Sequence, residues 1–284
     1  MKMIRKLLLI LLSVVFITSF SNKTLANENL SDEILIKEFI EEQNDGVEYF
    51  YETGQIKEIK EYRTLEEIFE DFKDLNPEVF GTFEEYKEFT LESMKAKHEI
   101  EATIPEQDSL TLYSSINKNN VYTGDIVVTN SSFSYGITGH AGFVIDNNTV
   151  LTADSDMGHP YVENFGNWIS KARRKGAWIQ IIRPKDKALS THRHIAKTWA
   201  LNNYTTTKSG RPVGRTDISY WISLNLPSTD PTYCSKIPFQ AYKFGAKIGH
   251  DLPSKNTIIL PYKLKDYFKD NPTSQFEHSI KNYY

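Results

Sequence analysis

The chain is poor in cysteine: Cys234 is alone among 284 residues. With no internal partner for it, a disulfide-stapled scaffold is excluded, and the fold must rest on an ordinary packed core. There is no glycine-rich phosphate loop, no Cys–His zinc spacing and no nucleic-acid-binding module, so nothing calls for a nucleotide, a metal or another cofactor, or a nucleic-acid partner. His192 and His194 stand two apart on an expected helix and do not face each other, which argues against a metal site there. Internal repeats and low-complexity tracts are also missing, which removes solenoids and linker-like chains. Past residue 26 no apolar run is long enough to cross a bilayer.

What is present begins with an export signal. Lys2 and Arg5 precede an apolar stretch from Leu7 to Phe20, and Thr24-Leu25-Ala26 suits a signal peptidase, so residues 1–26 are expected to be removed and the protein to act outside the cytoplasm with no integral membrane segment. Charge then divides the rest. Residues 27–105 hold 23 acidic and 8 basic side chains, whereas residues 106–284 are net basic. Two units are expected: an acidic, mainly helical one over 27–105 and an α+β domain over 106–284. In the first, Leu35, Ile36, Phe39 and Ile40 share a helix face, and Leu65, Ile68, Phe69 and Phe72 repeat the pattern behind Thr64 as N-cap. A third helix is expected from Thr82 through Met94, and a hairpin over Val47 to Lys60. An acidic cover leaning on the basic domain is one use for this unit; a plain accessory domain is the other.

In the second unit, Gly124–Thr129, Gly139–Ile145, Val150–Ala153 and Ala177–Ile182 read as strands, the last stopped by Pro184. Asn167–Lys175, Thr191–Asn202 and Ser235–Ile248 read as helices, and Tyr204 to Asp230 as a loop. Pro238 fits the first turn of a helix beginning at Cys234, because the N–H it lacks has no partner there. A cysteine at a helix start is favoured as thiolate, which makes a nucleophile of depressed pKa. His140, at the head of its strand, is the candidate base, able to take the thiol proton and return it to a leaving amine or alcohol.

Gly124-Asp125-Ile126, Gly139-His140-Ala141-Gly142-Phe143, Tyr233-Cys234-Ser235 leading into Ala241-Tyr242, and Ile258-Ile259-Leu260-Pro261 resemble, in that order, the circularly permuted (YiiX-like) branch of the NlpC-type papain-like cysteine hydrolases. The resemblance covers roughly residues 120–266. It implies a small antiparallel sheet packed by helices, Cys234 as nucleophile and His140 as base. It also implies hydrolysis or transfer at an amide or ester carbonyl. Where the family often has a glutamate to steady the histidine, this chain has Thr152, with Asp154 two residues on. A three-residue turn at 147–149, which the family spacing implies, brings Asp154 within reach of His140; a two-residue turn at Asn147-Asn148 puts Ser155 and Ala153 on the histidine's side. Asp154 and Thr152 are both candidate catalytic residues beside the pair, although Thr152 also reads as a plain β-former.

The expectation is therefore a secreted thiol hydrolase, an amidase or peptidase acting on peptides of the cell wall. A lipid or fatty-acyl hydrolase or transferase on the same fold is the second reading, and a non-catalytic binder the third. The partner is accordingly a peptide or an acyl-containing substrate. Tyr233, Gln240 and His159 are candidate substrate contacts, and Lys171, Arg173, Arg174 and Lys175 form a charge run.

Overall fold

Apolar spacing and capping residues build the helical region first. In the computed structural model, residues 30–52, 62–103, 121–131, 138–171, 178–185, 189–248, 253, 256–267 and 273–281 are described. Helix α1 (Asp32–Glu52), α2 (Leu65–Leu75) and α3 (Phe83–Glu101) come in order. Thr64 and Thr82 each close a capping box, their hydroxyls accepting from the Glu67 and Glu85 amides while those glutamates accept the cap N–H in return. Phe39 on α1 and Phe69 and Phe72 on α2 each meet Tyr86 of α3 in an aromatic core, and Leu35 on α1 is buried too. The hairpin expected from Val47 does not form there: α1 continues through Glu52, and 53–61 lie outside the described residues.

The second region is a six-stranded antiparallel sheet in the order β4-β3-β2-β1-β5-β8. Its strands are β1 (Ile126–Thr129), β2 (His140–Asp146), β3 (Thr149–Ala153), β4 (Pro160–Asn164), β5 (Trp178–Lys185) and β8 (Thr273–Lys281). The short pair β6 (Thr205–Lys208) and β7 (Arg211–Gly214) forms a separate hairpin inside the segment expected to be a loop. Strand β5 runs through Pro184, which sequence reading took as its stop. β1 opposes β5 only at Ile179 to Ile182, so at Pro184 the ladder has a partner on the β8 side alone. With helices and an antiparallel sheet, the fold is α+β as expected.

One sheet face carries Val127, Val144, Val150, Ile179 and Ile181, closed by Val121 and by Phe165 and Trp168 of α4 (Phe165–Lys171). Against the other face lies α6 (Lys236–Gln240), continued by a π-helical turn over Ala241–Gly245, from which Tyr242 meets Phe143 edge-on. Helix α5 (Leu189–Tyr204) packs beside that turn. Asp32–Tyr284 is one compact unit. Within it the helical and sheet regions are tied by Ser93 to Thr138 (2.6 Å), Trp178 Nε1 to Glu101 (2.9 Å) and the Ile222 N–H to Asn76 (2.9 Å). The signal segment lies outside the described residues, as do residues 173–175 of the charge run, and of Lys171 only the backbone is described.

Candidate active site

Cys234 is held by its neighbours on either side. The Tyr233 hydroxyl accepts from the Ile259 N–H (3.0 Å) and the Ser235 hydroxyl donates to the Ile259 carbonyl (2.5 Å), so the Ile258–Pro261 segment grips the residues flanking the thiol. The helix starts slightly later than expected, with Ser235 as N-cap and Pro238 as its third residue, and Cys234 stands just ahead of it. The expected depression of the thiol does not occur. The residue is 3 % exposed, and burial pushes the thiol up to about 11 against hydrogen bonds from the Ala141 backbone and from Ser235, with the Asp154 charge adding to the rise. A short helix start does not outweigh the loss of water around a thiolate.

The hydrogen bond from the Ala141 backbone brings the sulfur to the head of β2, one residue along the chain from His140. Two features fix that strand start. Gly139 has φ +82°, and a Cβ there would lie 2.7 Å from the Tyr262 ring, so no side chain fits before the histidine. Thr138 is anchored by Ser93 of α3.

Register decides which β3 residue reaches the imidazole. The turn is the two-residue Asn147-Asn148, since Asp146 pairs with Thr149, and not the expected three-residue loop. A bulge at Ile145 then shifts the pairing by one, so Val144 opposes Val150 and Phe143 opposes Leu151. Gly142 is thereby set against Thr152, and Thr152 comes to share the histidine's face. Its hydroxyl donates to the Ala141 carbonyl (2.7 Å) and lies 3.0 Å from His140 Nε2. A hydroxyl has one proton, and the carbonyl can only accept, so the contact to Nε2 is one in which the imidazole donates. His140 thus donates from Nε2, and in the neutral ring Nδ1 is the nitrogen that can accept a proton. Of the two candidates at and after the family's glutamate position, Thr152 and not Asp154 is the one that meets His140 Nε2.

Asp154 bonds elsewhere: its carboxylate accepts from the Tyr161 hydroxyl and from the Met157 N–H (2.9 Å). Its charge still bears on the Cys234 thiol. Gln240 is fully buried, its oxygen accepting from Tyr204 and its amide donating to the Leu226 and Ser228 carbonyls, so it has no donor left for an oxyanion. Tyr233 is equally buried, with its hydroxyl engaged by Ile259, and acts as support for the cysteine loop rather than as a wall. His159 is half-buried, and its Nδ1 bonds the Pro160 carbonyl at 2.7 Å. Trp168, which sequence reading passed over, stacks on His140 with ring centroids 6.0 Å apart.

Lys236, also buried, is lowered by burial to about 8, opposed by the Asp230 charge, and donates to the Pro231 carbonyl at 2.7 Å. Asp125 of the Gly-Asp-Ile motif has a structural role: it takes a two-pronged pair from Arg183 at 2.8 and 2.7 Å plus the Tyr122 N–H. Among the described residues the clearest groove, about 590 Å³, runs past His194, Ile195, Thr198 and Trp199 of α5 and does not include Cys234. Glu38, His98 and Glu101 come close enough to hold a metal ion, but the Lys97 ammonium sits among them, 2.5 Å from Glu38 and Glu42. No helix among the described residues is long and apolar enough to cross a membrane.

Comparison with known proteins adds three findings. The profile of a family described as lipoprotein N-acylation protein LnsA-like matches residues 99–279, which include both Cys234 and His140. An uncharacterized 30.3 kDa protein of Bacillus thuringiensis is 34 % identical over 162 residues, 57 % of this chain and 57 % of the relative. No solved structure matches.

Proposed function

This chain belongs to the LnsA-like lipoprotein N-acylation family, and from that premise we propose that it is an exported cysteine acyltransferase or acyl hydrolase that carries its acyl group as a thioester on Cys234. The family is of acyl-transfer or hydrolase type, which favours the acyl reading over cleavage of wall peptides. The resemblance to the permuted NlpC-type hydrolases supports the same chemistry on the same pair of residues.

His140 Nδ1 takes the thiol proton as Sγ attacks the carbonyl of an acyl ester. The oxyanion is met by the backbone N–H of Cys234. When the tetrahedral adduct collapses, the C–O bond to the leaving group breaks and the proton on Nδ1 passes to the departing alkoxide. An amine, or water, then attacks the thioester, gives its proton to Nδ1, and thiolate leaves to be reprotonated by the same imidazole. The family's description supplies the acyl group and the nitrogen acceptor. Because burial holds the resting thiol near 11, proton transfer accompanies attack instead of preceding it.

The observation that carries this reading is the meeting of the Cys234 sulfur with the Ala141 backbone, one residue from an imidazole whose Nε2 is tied to Thr152. Its test is turnover of a chromogenic acyl ester. Cys234→Ala and His140→Ala are each expected to lose about a thousandfold or more with unchanged circular dichroism. Substantial turnover in either folded variant overturns the proposal.

A further inference from the structure

The imidazole of His140 does not stand alone on its sheet face. The Trp168 indole stacks on it at 6.0 Å and 23° from parallel, and Phe165 stacks on the same indole at 6.4 Å and 11°. The floor under this stack is cleared by Gly142: a Cβ there would come 2.4 Å from Val150 Cγ1 and 3.2 Å from Trp168 Nε1. A glycine inside a strand marks a close approach; here Val150 comes closest, Val127 Cγ2 lies at 3.1 Å, and the indole covering the histidine takes the rest of the space. Trp168 Nε1 is buried with no hydrogen-bond partner among the described residues. A donor left unmet costs free energy, so the indole is held by its stacking and packing and not by that N–H.

We propose that Trp168 is a positioning residue for the acyl-transfer reaction, its π face fixing the plane of the His140 ring and favouring the imidazolium that forms when Nδ1 takes the Cys234 proton. The proposal rests on the reading of Cys234 and His140 as nucleophile and base. A cation over a tryptophan face is attracted by the ring quadrupole, more so when water is excluded, and Trp168 is 2 % exposed. Besides Trp168, the neighbours of His140 are Thr129 across β1 and Thr152 on β3, neither of which carries charge, while the Cys234 thiol meets the adjacent Ala141 backbone and feels the Asp154 charge. Burial and the Asp154 charge disfavour the thiolate against the hydrogen bonds from Ala141 and Ser235, so a stabilised imidazolium adds to the drive for proton transfer.

The test uses the full chain in three forms: wild type, Trp168→Phe and Trp168→Leu. The readouts are the His140 titration by NMR and the pH profile of kcat/KM on p-nitrophenyl octanoate. Phe keeps a π face and is expected to stay within about threefold of wild type with nearly the same titration. Leu is expected to lower the His140 titration by about half to one unit and kcat/KM by roughly tenfold. A Leu variant that titrates and turns over like wild type overturns the proposal. So does a Phe variant as impaired as Leu, since that outcome reports packing alone.

Should Trp168→Leu not fold, difluorotryptophan throughout the chain keeps the shape and weakens the π face. A lowered His140 titration supports the stack, and an unchanged one overturns it. Turnover retained by Cys234→Ala sinks the nucleophile assignment instead, and the His140 titration still judges the stack by itself.

Discussion

Two buried ionisable groups, Lys97 in the helical region and Cys234 at the sheet, meet the loss of water in opposite ways. Lys97 is ringed by Glu38 and Glu42 at 2.5 Å and Glu101 at 3.8 Å, and their charges outweigh burial and hold its ammonium above the ordinary range. His98 extends the clasp, donating to Glu38 at 2.6 Å. Cys234 has hydrogen bonds but a negative neighbour in Asp154, and it stays a thiol. Burial penalises charge in both places, and what differs is the company each group keeps. The helical region uses paired charge to fasten α1 to α3. At the head of β2 the thiol leaves its charge unformed.

That contrast breaks if Lys97 proves dispensable. Lys97→Ala leaves three carboxylates facing one another and is expected to cost about 3–5 kcal/mol in chemical denaturation. A loss below about 1 kcal/mol means the clasp is not a closed charge network. Thr152→Val keeps the shape but removes the acceptor for Nε2–H, so it is expected to lower kcat/KM about a hundredfold, roughly 2.7 kcal/mol, with Thr152→Ser restoring most of it. Equal activity in the Val variant contradicts the tautomer assignment.

The acid limb of stability sharpens the helical side. Burial alone would raise Glu38, but the hydrogen bond from His98 and the charge of Lys97 outweigh it and hold the carboxyl near 2, below its ordinary 4.5. Its contribution is therefore full above about pH 4.5 and is lost as pH falls toward 2. Glu38→Gln is expected to remove about 2 kcal/mol at neutral pH and to flatten that limb; a limb as steep as wild type assigns it to other carboxylates. The smallest effect is expected at Asp154→Asn, which removes the charge that disfavours the thiolate and should speed iodoacetamide labelling of Cys234 a few-fold at pH 8. Slower labelling contradicts the sign of that interaction.

Much of this was legible in the residues. Thr64 and Thr82 announced helix starts because a capping box is local chemistry, and His140 and Cys234 were marked by their flanking motifs. Thr152 was marked by its place at the family's glutamate position, but the choice between it and Asp154 was not legible, since it depends on a one-residue bulge at Ile145 that nothing in Val144-Ile145-Asp146 spells out. Strand β8 was invisible because Thr273–Lys281 gains its place only by pairing with a distant β5. Gln240 looked like a candidate donor because sequence shows the amide and not the carbonyls of Leu226 and Ser228 that take its protons. The thiol was misjudged for a related reason: its position ahead of a helix is written in sequence, its burial is not.

The central claim is a covalent acyl group on one sulfur. Intact-mass spectrometry of the protein after a short exposure to an activated fatty-acyl ester tests it most directly. The account predicts one added acyl mass on wild type, mapped to Cys234, released by neutral hydroxylamine and absent from Cys234→Ala. An adduct on another residue, or none while the ester is still consumed, contradicts it.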